Sequence, residues 1–117
     1  MMRLTTDKGV ITISSDVITN IAGMAATNCF GVKGMAARSR SDGLFHLLRQ
    51  ENMSKGVLVT YHDDETITID LHVMMDHGIN IAAVAPSIIN RVTYDVNKAT
   101  GLTVNDVNVY IDSISVD

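Results

Sequence analysis

The stretch from residue 78 to residue 116 constrains the fold most, because its apolar residues change period halfway along. The first half has the spacing of an amphipathic helix, with apolar residues three or four apart. These residues are Ile81, Ala85, Ile88, Val92, Val96 and Ala99. Gly101 follows, where a left-handed residue commonly ends a helix, and Lys98 suits the last turn. Val107, Val109 and Ile111 then alternate with polar residues, which indicates a strand. A long helix that leads into a long strand needs a sheet to lie on.

Two positions interrupt these patterns. Pro86 lacks an N–H and crowds residue 82, so the helix that starts at Asn80 either kinks there or begins its main part at Pro86 after a short turn. In the final strand the apolar residues move from odd to even positions after Ile111, which predicts a bulge near Asp112 and Ser113.

The N-terminal third predicts a strand, a helix and a second short strand. Residues 9–14 alternate as a strand, and Ser15 is a suitable cap for a helix that continues to about residue 29. Glycines at positions 31 and 34 end that helix, and residues 32–37 suit a short strand.

The middle of the chain predicts a variable segment and then a hairpin. Residues 38–43 read as a loop, and Ser41 or Asp42 could cap a brief helix that ends near residue 52. Matching the apolar faces of the two hairpin strands pairs residue 61 with 67, 59 with 69 and 57 with 71. This register requires an odd-numbered loop around residues 63–65, whereas a two-residue turn would put Val59 and Tyr61 on the wrong face.

These elements predict an α+β fold in the order β-α-β-β-β-α-β. Two main helices packed on one face of a mainly antiparallel sheet, a two-layer sandwich, is the economical arrangement. With 117 residues and 46% hydrophobic composition, we expect residues 1–117 to form a single domain with its own core.

The composition predicts a cytoplasmic protein whose charge is unevenly distributed. The chain has one Cys, no apolar run typical of a signal peptide and no run long enough to span a membrane. Residues 1–50 hold six Lys and Arg against three Asp and Glu, whereas residues 51–117 hold three against ten. Either the sheet simply has differently charged ends, or neighbouring copies make a head-to-tail contact.

The residue types that carry catalysis or bind metals do not form a recognisable pattern. Six potential metal ligands fall within sixteen positions: His62, Asp63, Asp64, His72, Asp76 and His77. No two of the histidines have a zinc-site spacing, and acidic residues at a hairpin tip commonly form a solvated turn. Cys29 lies on the apolar stripe of its helix, as a buried inert thiol would. We therefore predict no enzyme activity, no bound metal and no cofactor.

One short motif supports an alternative. Gly31-Val32-Lys33-Gly34 matches the Gly-x-x-Gly loop with which KH domains hold a nucleic-acid backbone, and Arg38 and Arg40 follow it. A KH loop joins two helices, whereas residues 35–37 do not start a helix clearly, and the acidic chain disfavours phosphate binding. A small KH-like RNA-binding module stays the alternative to an interaction module.

Several segments, in this order and spacing, resemble the alkaline shock protein (envelope stress response) family of Gram-positive bacteria. They are Gly9-Val-Ile-Thr-Ile-Ser, Ile21-Ala, Gly31-Val-Lys-Gly, Lys55-Gly-Val, Ile67-Thr-Ile-Asp-Leu-His-Val, Gly78-Ile-Asn-Ile, Val84-Ala, Thr100-Gly-Leu-Thr-Val and Val107-Asn-Val. The resemblance runs from about residue 8 to residue 116, and Pro86 and residues 38–52 depart from it. It implies a cytoplasmic, non-catalytic α+β protein that self-assembles, reaches the membrane only through an anchoring partner and serves envelope stress tolerance.

The resemblance supplies no catalytic residues, so we expect the function to reside in charged surfaces. The first is the basic segment, which we define as Lys33, Arg38, Arg40 and Arg49. The second is the acidic tip, which we define as Asp63, Asp64 and Glu65. We predict that these surfaces contact another copy of the chain or a membrane-anchoring protein, and that nucleic acid is not the partner.

Overall fold

The computed structural model describes residues 2–38, 45–47 and 55–116. Its elements are β1 (Met2–Thr6), β2 (Gly9–Ile13), α1 (Ser15–Thr27), β3 (Val32–Arg38), β4 (Phe45–Leu47), β5 (Val57–Tyr61), β6 (Thr66–Met75), α2 (Ile81–Thr100) and β7 (Thr103–Ile114). The expected α+β class is confirmed, with two helices packed on a sheet in which three of the four strand pairings are antiparallel.

Strand β6 is the centre of the main sheet. On one side it pairs with β7 in parallel along its whole length. On the other side β5 pairs antiparallel with residues 67–71, and β3 pairs antiparallel with residues 73–75. The short strand β4 then pairs with the end of β3.

One face of the sheet is covered by both helices, and the core lies between these layers. The alternating side chains of β6 show this directly, because Ile67, Ile69, Leu71, Val73 and Met75 are all fully buried. They form one cluster with residues of α1 and α2, among them Ile18, Ala22, Ile88, Val92 and Val96. The predicted apolar stripe of α2 is therefore its core-facing side from Ile81 to Val96, whereas Ala99, also predicted in the stripe, is exposed.

The boundaries of both helices follow from their capping residues. The predicted cap of α1 was one residue too late, because Ser14 is the N-cap and its hydroxyl accepts a hydrogen bond from the N–H of Asp16 at 3.2 Å. Asn80 caps α2 as predicted, and Gly101 ends it in the left-handed conformation with φ 78°. Pro86 lies inside α2, which is assigned as one continuous helix, so no separate first turn ends at Ala85.

The predicted hairpin and bulge are both confirmed. Strand β5 pairs with β6 through Val57 and Leu71, Val59 and Ile69, and Tyr61 and Ile67, which leaves the odd-numbered loop. The register of β6 and β7 shifts between Val73 and Met74, where Asp112 is the extra residue.

Three features differ from the predicted order. Residues 2–6 form an additional strand, β1, which pairs with β2 in a separate two-stranded sheet, so β2 is not part of the main sheet. Residues 45–47 are a strand rather than part of a brief helix, because they pair with residues 36–38. The remainder of that predicted helix lies outside the described residues. The strand β7 is parallel to its neighbour, a direction that residue periodicity alone does not determine.

Candidate interaction surface

The acidic tip is a tight turn between β5 and β6. The N–H of Glu65 donates to the carbonyl of His62 at 3.3 Å, and Glu65 adopts a left-handed φ of 67°. Oδ1 of Asp64 accepts hydrogen bonds from the hydroxyl of Thr66 at 2.6 Å and from its N–H at 3.2 Å. These bonds from Thr66, the side-chain bond first, lower the pKa of Asp64 below its ordinary value. Asp64 thus holds the turn together, and the exposed carboxylates of Asp63 and Glu65 face solvent beside it.

The basic segment is only partly within the described residues. Lys33 is exposed at the start of β3, at the position where the pairing with β6 shifts register. Arg38 is the last residue of β3. Arg40 and Arg49 lie outside the described residues.

The acidic tip and Lys33 lie at opposite ends of β6. The tip immediately precedes Thr66, whereas β3 pairs with residues 73–75. Seven residues separate Thr66 from Val73, which corresponds to ~23 Å along an extended strand at about 3.3 Å per residue. Lys33 and the acidic tip therefore do not neutralise each other within one copy, since this spacing exceeds the Debye length of about 8 Å.

The Gly-x-x-Gly motif does not form a loop between two helices. Gly31, with φ 86°, is the turn after α1, and Val32 and Gly34 already pair with Met75 and Met74 of β6. A Cβ on Gly31 would lie 3.1 Å from Cγ2 of Ile79. The turn of the chain and the close packing against Ile79 explain why residue 31 is a glycine. The helix–turn–strand geometry of this motif differs from that of a KH loop, which joins two helices.

The histidine and aspartate residues of β6 contact β7 instead of gathering around a metal. Oδ1 of Asp70 accepts a hydrogen bond from Nδ2 of Asn108 at 2.8 Å. The ring of His72 stacks on Tyr110, with 4.9 Å between centroids, and its Nδ1 lies 2.9 Å from Oδ2 of Asp112. Within residues 2–38, 45–47 and 55–116 there is no group of three or more His, Cys, Asp or Glu that could hold a metal ion.

These three partners on β7 were not anticipated from the sequence. Asn108, Tyr110 and Asp112 oppose β6 only because the two strands are parallel and adjacent. The alternation of β7 indicated a solvent-facing side, but nothing in it identified the neighbouring strand.

Cys29 has the environment expected of an unreactive thiol. Its Sγ lies 3.3 Å from the carbonyl oxygen of Ala25, to which the thiol donates a hydrogen bond. Burial raises the pKa of this thiol above its ordinary value, and the positive charge of Arg91 offsets the rise only in part.

An open groove runs beside Cys29, between the end of α1 and the outer side of α2. It is lined by Asn28, Cys29, Phe30, Ser87, Asn90, Arg91 and Tyr94. Phe30 is 77% exposed, and Tyr94 is also exposed. Arg91 forms an ion pair with Asp95 at 3.0 Å and so keeps a charged rim beside two exposed aromatic rings. This composition is typical of a contact surface and offers no nucleophile with an adjacent base.

Three strands of the main sheet, β4, β5 and β7, have a single neighbour among the strands that the structure describes, and the two beside β6 differ in character. β5 and β7 each pair with β6 alone among the strands that the structure describes. β7 is interrupted by two register shifts and carries Asp106 and Asp112, whereas β5 pairs without a shift and contains no charged residue. The sequence predicted β5 as a strand but did not indicate that it would lie at an edge.

None of the helices in the described part is long and apolar enough to cross a membrane.

The chain is similar to known proteins over nearly its whole length. A model of the alkaline shock protein 23 family, described by a cell envelope-related function, matches residues 3–116. The chain is 40% identical to the uncharacterized protein YloU of Bacillus subtilis over 98% of this chain and 96% of that protein. It is also 40% identical to the uncharacterized protein Spy1614 of Streptococcus pyogenes, over 98% and 95%. Among solved structures, the manganese form of a MamM CTD variant has a similar fold, with a TM-score of 0.52, 16% identity and coverage of 86% of this chain and 99% of that one.

Proposed function

Since the chain belongs to the alkaline shock protein 23 family, whose function is related to the cell envelope, we propose that it is a non-catalytic interaction module of the envelope stress response. It self-associates or docks onto a membrane-anchored partner. In this proposal the protein is cytoplasmic and reaches the membrane only through that partner.

The observation that carries the proposal is the separation of opposite charges along β6. A carboxylate-bearing turn at one end of β6 and exposed Lys33 at the other give the chain two oppositely charged surfaces that favour contact with a second copy or with a partner of complementary charge. Such charged contacts raise the rate of association and fix the relative orientation of the partners more than they raise the affinity.

The chemistry of the polar side chains supports a role without catalysis. His72 and Asp70, the titratable residues on the uncovered side of β6, are each bonded to a residue of β7. The thiol of Cys29, just beyond the end of α1, donates a hydrogen bond to the carbonyl of Ala25 in that helix. These contacts stabilise the sheet and the end of the helix, and the residues that line the groove beside Cys29 include no His, Asp or Glu that could act as its base.

Charge reversal of the two surfaces tests the proposal. One variant carries Asp63→Lys and Glu65→Lys, and leaves Asp64 because that residue holds the turn. A second replaces the four residues of the basic segment by Glu. A third, Asp7→Lys with Asp106→Lys, is the control, because it makes the same charge change as the first at two other exposed positions.

Each protein is tagged and recovered from native lysate of a Gram-positive host with and without nuclease, and its bound proteins are identified by mass spectrometry. We expect the control to retain tagged and untagged copies together with a nuclease-resistant membrane-spanning protein, and the first two variants to lose them. Unchanged binding by both variants would show that the charged surfaces are not the contact. Partners that disappear with nuclease would instead favour the RNA-binding alternative.

A further inference from the structure

Among the strands that the structure describes, β5 pairs with β6 alone, and we infer that its other edge pairs antiparallel with β5 of a second copy, so that two main sheets join into one across a two-fold axis. The inference rests on the proposed function, because it names the interface through which the chain associates with itself. Four observations support it, and each concerns the edge itself.

The first observation is that β5 lacks the features with which proteins block a free edge. Natural edge strands are protected by charged side chains, Pro, bulges or covering elements. Residues 57–61 are Val-Leu-Val-Thr-Tyr, with no charge and no Pro, and their pairing with β6 is regular. The opposite edge, β7, has two bulges and two Asp. Compared with β7, β5 is the edge that suits the addition of a strand.

The second observation is the direction of the backbone groups of β5. The N–H of His62 donates to the carbonyl of Thr66 at 3.0 Å, so residues 62 and 66 form a hydrogen-bonded pair. Such pairs alternate along an antiparallel ladder, so the groups of residues 60 and 58 point towards β6. Those of Val57, Val59 and Tyr61 consequently point outwards, away from β6.

The third observation is that one register satisfies all of these groups. When Val59 of one copy lies opposite Val59 of the other, Val57 lies opposite Tyr61 on both sides of the axis. The three residues with outward-pointing groups on one strand then face the same three on the other. The two faces also match, because Val57, Val59 and Tyr61 all lie on the core side of the sheet. Val59 and Tyr61 are only partly buried in one copy, so pairing extends the core across the axis.

The fourth observation is charge complementarity at the ends of the paired strands. Just beyond β5, where both chains leave the extended conformation, exposed Lys55 of one copy comes to the same end of the paired strands as exposed Asp63 of the other, at both ends of the interface. On the open face, exposed Leu58 lies opposite Thr60 of the second copy. No pair of like charges occurs between residues 55 and 63 in this arrangement, so the strand is self-complementary.

Two lysines on the exposed side of β5 test the interface without touching the core. In the variant Leu58→Lys with Thr60→Lys, the register places each introduced lysine opposite another across the axis. We expect the dissociation constant of the dimer to rise at least about 100-fold, because like charges placed together across an interface cost several kcal/mol. Thr103→Lys with Asn105→Lys is the control, since it adds the same charge at exposed positions of the β7 edge and should leave the constant unchanged.

A charge exchange tests the register itself. Lys55→Asp puts two acids together at each end of the paired strands and should weaken the dimer about tenfold, and Asp63→Lys should do the same with two lysines. The chain with both substitutions restores opposite charges and should return to within about threefold of the starting affinity. Sedimentation velocity over a concentration series measures all five variants together with the unmodified chain, and circular dichroism verifies that each is folded.

The outcomes separate this inference from the proposed function. A dimer that persists in the Leu58→Lys, Thr60→Lys variant while the charge-reversal variants dissociate would overturn pairing at β5 and leave self-association intact. A dimer weakened by both single charge substitutions and not restored by the exchange would overturn the register. An unmodified chain that stays monomeric at every concentration would overturn the inference and the self-association on which it rests.

Discussion

Nδ1 of His72 lies 2.9 Å from Oδ2 of Asp112, the extra residue of the bulge in β7. His72 is directly opposite Tyr110 in the register, and its ring stacks on that residue. The extra residue at position 112 brings a carboxylate to the same side chain, so one histidine contacts two residues of the parallel strand.

Removing this carboxylate should weaken the contact between β6 and β7. We expect Asp112→Ala to lower the free energy of unfolding by about 1 kcal/mol, because the pair is partly exposed and a net hydrogen bond contributes that amount. Asp106→Ala, at an exposed position of the same strand, is the control. Urea denaturation measures both, and a double-mutant cycle with His72→Gln isolates the pair. Additive effects of the two substitutions would show that the contact contributes nothing.

Gly56 lies where β3, β5 and β6 meet, and a side chain does not fit there. A Cβ at this position would be 3.1 Å from the carbonyl oxygen of Ala36 and 3.2 Å from that of His72. Since both are backbone atoms that cannot rotate away, we expect Gly56→Ala to cost about 1–3 kcal/mol of stability. Gly9→Ala is the matched control, because nothing lies within 4 Å of its Cβ. Equal midpoints of thermal unfolding for the two variants would contradict this packing account.

Pro86 should limit the stability of α2. It lies inside the helix, where it removes the hydrogen bond to the carbonyl of Ala82 and crowds that residue. We expect Pro86→Ala to raise the free energy of unfolding by about 2 kcal/mol, because the interior penalty of about 3 kcal/mol is partly offset by a more flexible unfolded chain. Ser87→Ala, at the next exposed position, should change it by less than about 0.5 kcal/mol. A loss of stability in Pro86→Ala would mean that the proline is needed for the path of the helix.

The elements that the sequence predicted well are those whose register is determined by alternation over a buried face. The β5–β6 pairing and the bulge at Asp112 follow from keeping apolar side chains on one side, and both are present. The β1–β2 hairpin was not predicted. Apolar and polar residues alternate only weakly over residues 2–6, and the alternation of residues 9–13 predicted a strand without indicating a partner before it. The direction of β7 depends on how the chain returns after α2, which the period of a strand does not encode.

Of the candidate surfaces, the sequence predicted the acidic tip but not the edge of β5. Charge counts located the acidic tip, and the turn at residues 63–65 is as expected. Counts could not reveal that β5 pairs with β6 alone among the described strands, so that Lys55 and Asp63, each four positions from Val59, flank an edge strand. That symmetry becomes visible only when the strand order of the sheet is known.

The thiol of Cys29 should react slowly and only at high pH. Its pKa is raised by burial, so the folded protein holds the protonated form at pH values where an exposed thiol already forms thiolate. We expect alkylation by iodoacetamide at pH 8 to be at least about tenfold slower in the folded chain than in guanidinium chloride, where the same thiol is exposed. Arg91→Ala should slow it further, because it removes the charge that lowers this pKa. Equal rates in the folded and unfolded chain would contradict the assignment of Cys29 as buried and unreactive.

The central claim, that this chain acts by association with itself, is tested most directly by sedimentation velocity of the purified protein. We predict a 12.7 kDa monomer at low concentration and a species of twice that mass as the concentration rises. We also expect Leu58→Lys with Thr60→Lys to keep the chain at the monomer mass over the same range. A single 12.7 kDa species for the unmodified chain at every concentration would contradict it.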